Sequence, residues 1–178
     1  MRKKLIRILI CVSAVAALAA AAFLLWMKGV FLPGWIDWKE RELGLSDGRS
    51  LTLSGRRLYL EGESFPGMEN YLVQDALLLD LDRDGEEELV LLLWKRGRYG
   101  PYRPFWVEKD EAGWSQHLFL YELPAEEPPK SKWCSSYMGF EAADMRVFEK
   151  GQGLLAFIDT QGEESIWAWE GFGVKRLD

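Results

Sequence analysis

Residues 8 to 27 form a run of twenty positions without a single charged side chain. As an α-helix, such a run rises about 1.5 Å per residue and reaches roughly 30 Å, enough to cross the hydrocarbon layer of a bilayer. The basic residues Arg2, Lys3, Lys4 and Arg7 precede the run, and the first 27 residues contain no acid. The positive-inside rule therefore predicts a single-pass plasma-membrane protein with a cytoplasmic N-terminus and an extracytoplasmic C-terminal domain.

A cleaved signal peptide is the alternative, and it predicts a secreted protein. Two small-x-small patterns, Ala17 to Ala19 and Ala20 to Ala22, are suitable cleavage sites. The apolar run continues beyond both of them to Met27. We therefore favour a retained anchor and assign residues 1–28 to a cytoplasmic basic tip and a transmembrane helix.

The remaining chain divides into a connector and a β-domain. In residues 29–49, the sequence Leu32-Pro33-Gly34 interrupts any helix, so we expect a juxtamembrane connector. In residues 50–178, short stretches rich in β-branched and aromatic residues alternate with Gly, Pro and acidic turns. This pattern predicts an all-β fold of antiparallel strands, with two loosely repeated strand groups at 70–122 and 132–178. Two groups are too few to close a propeller, so an incomplete propeller-like or sandwich domain is expected.

The strands are predicted from local pattern alone, with one irregular strand possible within 131–139. They are residues 51–53, 57–60, 73–79, 89–94, 105–108, 116–121, 144–148, 154–159, 166–169 and 174–177.

The charge of the chain limits its partners. Beyond residue 27 the sequence carries 18 basic and 28 acidic side chains. Phosphate backbones are bound by Lys and Arg, so this acidic balance argues against nucleic acid and favours a cationic partner.

Acidic residues cluster in one loop between two aliphatic runs. Asp80, Asp82, Asp84 and Glu88 occupy loop positions one, three, five and nine, and Gly85 at position six permits a sharp turn. Calcium takes six to eight oxygen ligands. These four carboxylates, with the Glu86 backbone carbonyl and water, predict a structural Ca²⁺ site. A tight Asp84-Gly85 hairpin with solvated acids is the alternative.

The stretch from Asp80 to Glu88, followed by Leu-Val, resembles the calcium loop of FG-GAP and VCBS-type repeats of integrin-like propellers and bacterial envelope proteins. That resemblance implies a loop that joins two strands of one blade and binds calcium. It implies ligands at Asp80, Asp82, Asp84, Glu88 and, through its backbone, Glu86. Glu88 stands where the family has Asp. An EF-hand is excluded because position twelve is Leu91, inside a predicted strand.

A second candidate site is the basic, aromatic, Gly/Pro-rich loop at residues 95–104. Exposed cations and aromatic rings suit contact with a sugar or an anionic polymer. The predicted contact residues are Arg96, Arg98, Tyr99, Tyr102 and Arg103.

Other functional residue types give weaker signals. The only histidine, His117, lacks partners for a zinc site and is predicted to be a surface strand residue. Trp94, Trp106, Trp167 and Trp169 are predicted to be core residues.

Together these features predict a non-enzymatic envelope protein whose calcium-stabilised β-domain binds a protein or glycan. An envelope hydrolase, or its accessory subunit, acting on cell-surface glycan is the alternative, and a purely structural module is a third possibility. A hydrolase would require a concave cluster of acids away from the calcium loop.

Overall fold

The computed structural model describes residues 2–99, 103–135 and 138–177, which contain one α-helix and twelve β-strands. The chain divides into two compact units, Met1–Gly34 and Trp35–Asp178. The first contains the helix and the second contains all of the strands.

The helix α1 spans Arg2–Met27. Its segment Ile6–Met27 is long and apolar enough to cross a membrane, a property shared by membrane anchors and signal sequences. The helix ends at a Schellman motif, in which Gly29 has φ 68° and the Val30 amide donates to the Leu25 carbonyl at 3.1 Å. The helix therefore stops several residues before the predicted Pro33 break.

The strands run in sequence order from Arg41 to Arg176. They are β1 (Arg41–Gly44), β2 (Ser50–Ser54), β3 (Arg57–Leu60), β4 (Glu63–Ser64), β5 (Leu72–Leu79), β6 (Glu88–Arg96), β7 (Trp114–Glu122), β8 (Lys130–Cys134), β9 (Ala142–Glu149), β10 (Leu154–Asp159), β11 (Glu164–Glu170) and β12 (Gly173–Arg176). A 3-10 turn, Lys150–Gln152, precedes β10.

The strands form three four-stranded sheets, each an antiparallel meander of consecutive strands. Sheet 1 contains β1 to β4, sheet 2 contains β5 to β8 and sheet 3 contains β9 to β12. The predicted all-β antiparallel fold, preceded by one apolar helix, is confirmed. The number of strand groups is three, because residues 41–64 form a sheet of their own.

Sheet 2 lies between the other two. One hydrophobic cluster joins its Leu89, Leu91 and Leu93 to sheet 1, and a second joins its Val90 and Leu92 to sheet 3. Successive side chains of a strand point to opposite faces, so a strand buried on both faces is apolar throughout. The uninterrupted aliphatic sequence of β6 follows from this central position.

The predicted connector at 29–49 overlaps the folded domain. Ile36 is buried, and β1 pairs with β2 in sheet 1. The Arg41 guanidinium binds the buried Asp75 carboxylate of β5 at 2.9 and 3.1 Å. The Lys39 amide also donates to the Gln74 carbonyl. These contacts place the start of the domain at residue 35 because an ion pair and a strand ladder attach the segment to sheets 1 and 2.

The predicted strand at 105–108 is absent from the described structure. In the β6–β7 pair, Arg96 lies opposite Trp114, so residues 97–113 form the connection between these strands. Phe105 and Trp106 lie in this connection and are exposed. The expectation that Trp106 is a core residue was wrong, because the residue has no strand partner or covering sheet.

Candidate functional site

The loop between β5 and β6 bonds its carboxylates to its own backbone. Asp80 accepts hydrogen bonds from the amides of Asp84 and Gly85, both at 3.1 Å. Asp84 accepts one from the Glu86 amide at 2.9 Å. Positive φ angles at Arg83 and Gly85 allow the chain to fold back on itself. The alternate spacing of the acids thus stabilises the turn as well as gathering negative charge.

Three of the predicted metal ligands converge. Asp80, Asp82 and Glu88 each offer a carboxylate oxygen, and these oxygens lie within 4.8 Å of one another. Glu88 is 2% exposed, and its Oε2 accepts a hydrogen bond from the Leu81 amide at 2.8 Å. Hard divalent cations prefer such oxygen donors, so this group fits a metal ion.

The other two predicted ligands lie at the solvent side of the loop. Asp84 is exposed and lies outside the converging group, and Glu86, predicted as a ligand through its backbone carbonyl, is an exposed residue of the same turn. The loop therefore has one buried carboxylate, Glu88, and a solvent-exposed side that contains Asp84 and Glu86.

A lysine from sheet 2 also lies in the acidic group. The Lys132 ammonium on β8 is 2.5 Å from Asp82 Oδ2 and 2.7 Å from Glu88 Oε1. It also lies 3.8 Å from a carboxylate oxygen of Asp84 and of Glu122. The chain thus supplies a cation of its own to the oxygens that fit a metal.

Burial and charge act in opposite directions on this pair. Burial raises the pKa of Glu88, and the Lys132 ammonium only partly offsets that effect. Burial lowers the pKa of Lys132, but its hydrogen bonds to Asp82 and Glu88 outweigh burial and leave that pKa raised. Lys132 therefore stays charged, and the acidic group is partly neutralised from within.

Sheet 3 contacts the loop from behind. Gly153, at φ 61°, lies just before β10. A Cβ atom there would lie 2.7 Å from the carbonyl oxygens of both Asp80 and Leu81. Only glycine combines this backbone conformation with so close an approach, so the loop position depends on a residue about seventy positions away in sequence.

The loop also lines an acidic cavity of about 660 Å³. Backbone and apolar atoms of Leu45, Leu123, Pro124 and Gly151 contribute to its wall. Its acidic lining residues are Asp47, Asp80, Asp84, Glu86, Glu87, Glu88 and Glu122. Such a wall repels anions and attracts cations.

The predicted basic contact residues lie at the end of β6, where Arg96 is its last residue, and in the β6–β7 connection. Arg96 and Arg103 are exposed. Arg98 forms an ion pair with Glu111 at 3.1 Å, and Tyr99 is half-buried. Tyr102 lies outside the described residues. Arg98 thus lies beside an acid of its own loop.

His117 is fully buried, so its prediction as a surface residue was wrong. Its Nδ1 donates to the Ser135 carbonyl at 2.9 Å, and its Nε2 lies 2.8 Å from the Ser115 hydroxyl. The carbonyl can only accept, so the neutral ring carries its proton on Nδ1, while the Ser115 hydroxyl also donates to the Gly97 carbonyl at 3.0 Å. Burial lowers the pKa of His117 to about 4.

A buried amide pair lies near this histidine and was not anticipated from the sequence. The Gln116 side chain accepts from the Ala142 amide at 2.6 Å and donates to Gln74 Oε1 at 2.7 Å. Gln74 Oε1 also accepts from the indole of Trp94 at 2.9 Å. These bonds connect sheet 2 to the first residue of β9, so the residues have a structural role. Trp94 is a core residue as predicted, and Trp167 and Trp169 are half-buried against the second hydrophobic cluster.

Comparison of the chain with known protein families, curated proteins and solved structures gave no match.

Proposed function

We propose that this protein is a single-pass membrane protein whose extracytoplasmic, calcium-stabilised β-domain binds a protein or glycan of the cell envelope without catalysing a reaction. The main support is that one long apolar helical segment, Ile6–Met27, precedes a β-domain that has its own hydrophobic core. A helix whose apolar side chains are exposed along its length is unstable in water and stable in lipid.

The basic residues before the helix support the proposed orientation. Cytoplasmic flanks of membrane helices are enriched in Lys and Arg, and residues 2–7 contain four basic side chains and no acid. The domain after the helix is acidic overall. Secretion after cleavage remains the alternative fate of the same segment.

The acidic loop supports the calcium component. Asp80, Asp82 and Glu88 converge in a strand-loop-strand unit of one antiparallel sheet, as the resemblance to FG-GAP and VCBS-type loops implies. In our proposal calcium takes the position of the Lys132 ammonium, because both cations use the same carboxylate oxygens. The Lys132 side chain then turns towards solvent.

The position of the acids favours binding over hydrolysis. An envelope hydrolase would need an acidic cleft away from the calcium loop. Among the described residues, the acidic cavity of about 660 Å³ is lined by that loop itself. Contact with the partner is assigned to the basic segment that begins at Arg96, the exposed last residue of β6.

Cysteine accessibility in intact cells tests the orientation. In a full-length chain with Cys11→Ser and Cys134→Ser, we would introduce either Lys4→Cys or Glu63→Cys, both at exposed positions. A membrane-impermeant maleimide should label Glu63→Cys in intact cells and Lys4→Cys only after lysis. The reverse pattern would contradict the orientation, and recovery of the protein in the medium would favour signal cleavage.

Site-specific photo-crosslinking tests partner binding. A photoreactive amino acid at Arg96 should give a discrete adduct in intact cells, whereas the same amino acid at exposed Glu63 of sheet 1 should give none. Equal adducts at the two positions, or none at either, would argue against a contact surface at the end of β6.

A further inference from the structure

The β6–β7 connection carries a pair of highly exposed aromatic residues, Phe105 and Trp106. We define residues Arg103–Lys109 as the tip. Within it, Phe105 is 94% exposed and Trp106 is 71% exposed. Their rings pack edge to face with centroids 4.8 Å apart. A turn supports them, since the Val107 amide donates to the Pro104 carbonyl at 3.0 Å.

The base of this connection is closed by backbone hydrogen bonds. The Gly97 amide donates to the Gly113 carbonyl at 2.9 Å, and the Asp110 carboxylate accepts from the amides of Arg98 and Tyr99. Gly97 has φ 80°, and a Cβ atom there would collide with the Asp110 carboxylate. The aromatic pair therefore extends from a closed base, which reduces the ordering needed when it binds.

Phe105 and Trp106 present two large exposed rings beside positively charged side chains. This combination indicates what kind of partner can bind there. Contiguous exposed aromatics in a soluble domain mark interaction sites. Trp is enriched at the interface between lipid and water, where its ring is apolar and its N–H remains hydrated. Arg103 and Lys109 flank the rings and are exposed, with Glu108 the one acid within the tip. Positive side chains beside such rings fit anionic lipid headgroups.

The chain also limits how far the domain can move from a bilayer. The segment between Met27 at the end of α1 and Trp35 at the start of the domain spans at most roughly 30 Å when fully extended. A domain anchored by α1 is thereby kept at high effective concentration next to the lipid surface. Under that condition a weak contact made by two rings and two cations is sufficient for docking.

We propose that the tip inserts Phe105 and Trp106 into the headgroup region of an anionic bilayer and so gives the domain a second membrane contact. This inference rests on the proposed membrane anchor and deepens it. Arg103 and Lys109 contact lipid phosphates while the rings enter the interface. The tip thereby fixes the orientation of the domain, so that the acidic cavity is presented in one direction.

Depth-dependent fluorescence quenching of the full chain tests this contact. In the Cys11→Ser, Cys134→Ser background, Trp106→Cys is labelled with the environment-sensitive dye NBD and reconstituted into vesicles of 70% phosphatidylcholine and 30% phosphatidylglycerol. The matched control is Phe172→Cys, since Phe172 is 95% exposed in a Gly-Phe-Gly turn whose nearby cation, Lys175, is paired with Glu170 at 3.4 Å. Doxyl-labelled lipids should quench the dye at position 106 at least twofold more than at position 172. Arg103→Glu with Lys109→Glu should abolish the difference.

Flotation of the same vesicles separates this inference from the proposed anchor. A chain that floats but shows equal quenching at positions 106 and 172 would overturn the tip contact and leave the anchor intact. A chain that does not float would overturn both. A dye at position 106 that is shielded from aqueous iodide but not quenched by doxyl lipids would indicate contact with a second copy of the chain, and would also overturn the lipid contact. Equal quenching in pure phosphatidylcholine vesicles would overturn the role of Arg103 and Lys109.

Discussion

The ammonium nitrogen of Lys132 lies 2.5 Å from Oδ2 of Asp82, inside the group of carboxylates that fits a metal ion. The same nitrogen is 2.7 Å from the buried Glu88. Negative charge at this loop is thus partly balanced by a residue of a neighbouring strand. A cation added from solution would compete with that residue for the same oxygens, so metal binding and the Lys132 ion pairs are coupled.

Removal of the Lys132 ammonium should destabilise the domain. Lys132→Met keeps most of the side-chain volume but leaves Glu88 buried without its partner. Loss of one member of a buried pair costs about 3 to 5 kcal/mol, and the partial exposure of Lys132 reduces this to about 2 to 3 kcal/mol. Urea denaturation of residues 35–178 in calcium-free buffer measures the change. The control is Lys130→Met on the same strand, whose ion pair with Glu127 is exposed and screened by solvent and should therefore contribute far less to stability. Equal losses for the two variants would contradict the assigned role of Lys132.

Calcium should stabilise the Lys132→Met domain more than the wild-type domain. An extracellular-type site has a Kd of about 10⁻⁴ to 10⁻³ M, so 10 mM calcium should raise the melting temperature of Lys132→Met by several degrees. Asp82→Asn should remove this rise, whereas Asp47→Asn, which lines the cavity but lies outside the converging carboxylates, should retain it. Thermal melting with calcium and with magnesium measures the effect. If the melting temperature of Lys132→Met did not rise with calcium, a divalent cation at this loop would be excluded.

The domain should lose stability as the pH falls from the pKa of His117 in the unfolded chain to its pKa in the folded domain. Burial lowers the pKa of His117 to about 4 in the folded state, against about 6.5 in the unfolded chain. The unfolded chain therefore binds the proton first, so this contribution to stability is complete above pH 6.5 and is lost between pH 6.5 and 4. The loss amounts to about 3 kcal/mol, since one pKa unit corresponds to about 1.4 kcal/mol.

Denaturation at intervals between pH 4 and pH 7 measures this loss. His117→Gln keeps hydrogen-bonding groups but cannot titrate, so its free energy of unfolding should depend less steeply on pH over the same range. If wild type and His117→Gln had parallel pH profiles, another group would have to account for the acid sensitivity.

The close contact between sheet 3 and the acidic loop should be sensitive to one added methyl group. In Gly153→Ala the new Cβ would press on the backbone carbonyls of Asp80 and Leu81. Gly55→Ala is the matched control, because Gly55 has φ 56° and nothing within 4 Å of its added Cβ. Both variants suffer the same backbone strain, so the difference isolates the steric contact. We expect Gly153→Ala to cost roughly 1 to 2 kcal/mol more in urea denaturation. Equal costs would mean that the loop moves freely away from sheet 3.

Local patterns in the sequence were sufficient for the elements whose signal lies within a few neighbouring residues. The uncharged run ending at Met27 predicted α1, and alternating apolar stretches predicted most strands of the three sheets. The crowded carboxylates around Gly85 predicted a tight acidic loop between β5 and β6. Each of these features depends on backbone periodicity or on charge within one segment, and both can be read along the chain.

Three features required the tertiary structure. His117 alternates with Leu118 as predicted, yet both faces of β7 are covered because sheet 2 lies between two other sheets. Trp106 has the composition of a core residue, yet it lies in the connection beyond the last β6–β7 pair. Lys132 reaches Glu88 only because β8 pairs with β7 and β7 with β6.

The sequence by itself thus determined the apolar helix, the β-strands and the acidic loop. The stacking order of the sheets and the strand register decided which residues are buried and which cation lies nearest the carboxylates. The physical reason is that burial and charge pairing depend on residues distant along the chain, and the pattern of a single strand carries no information about what packs against its second face.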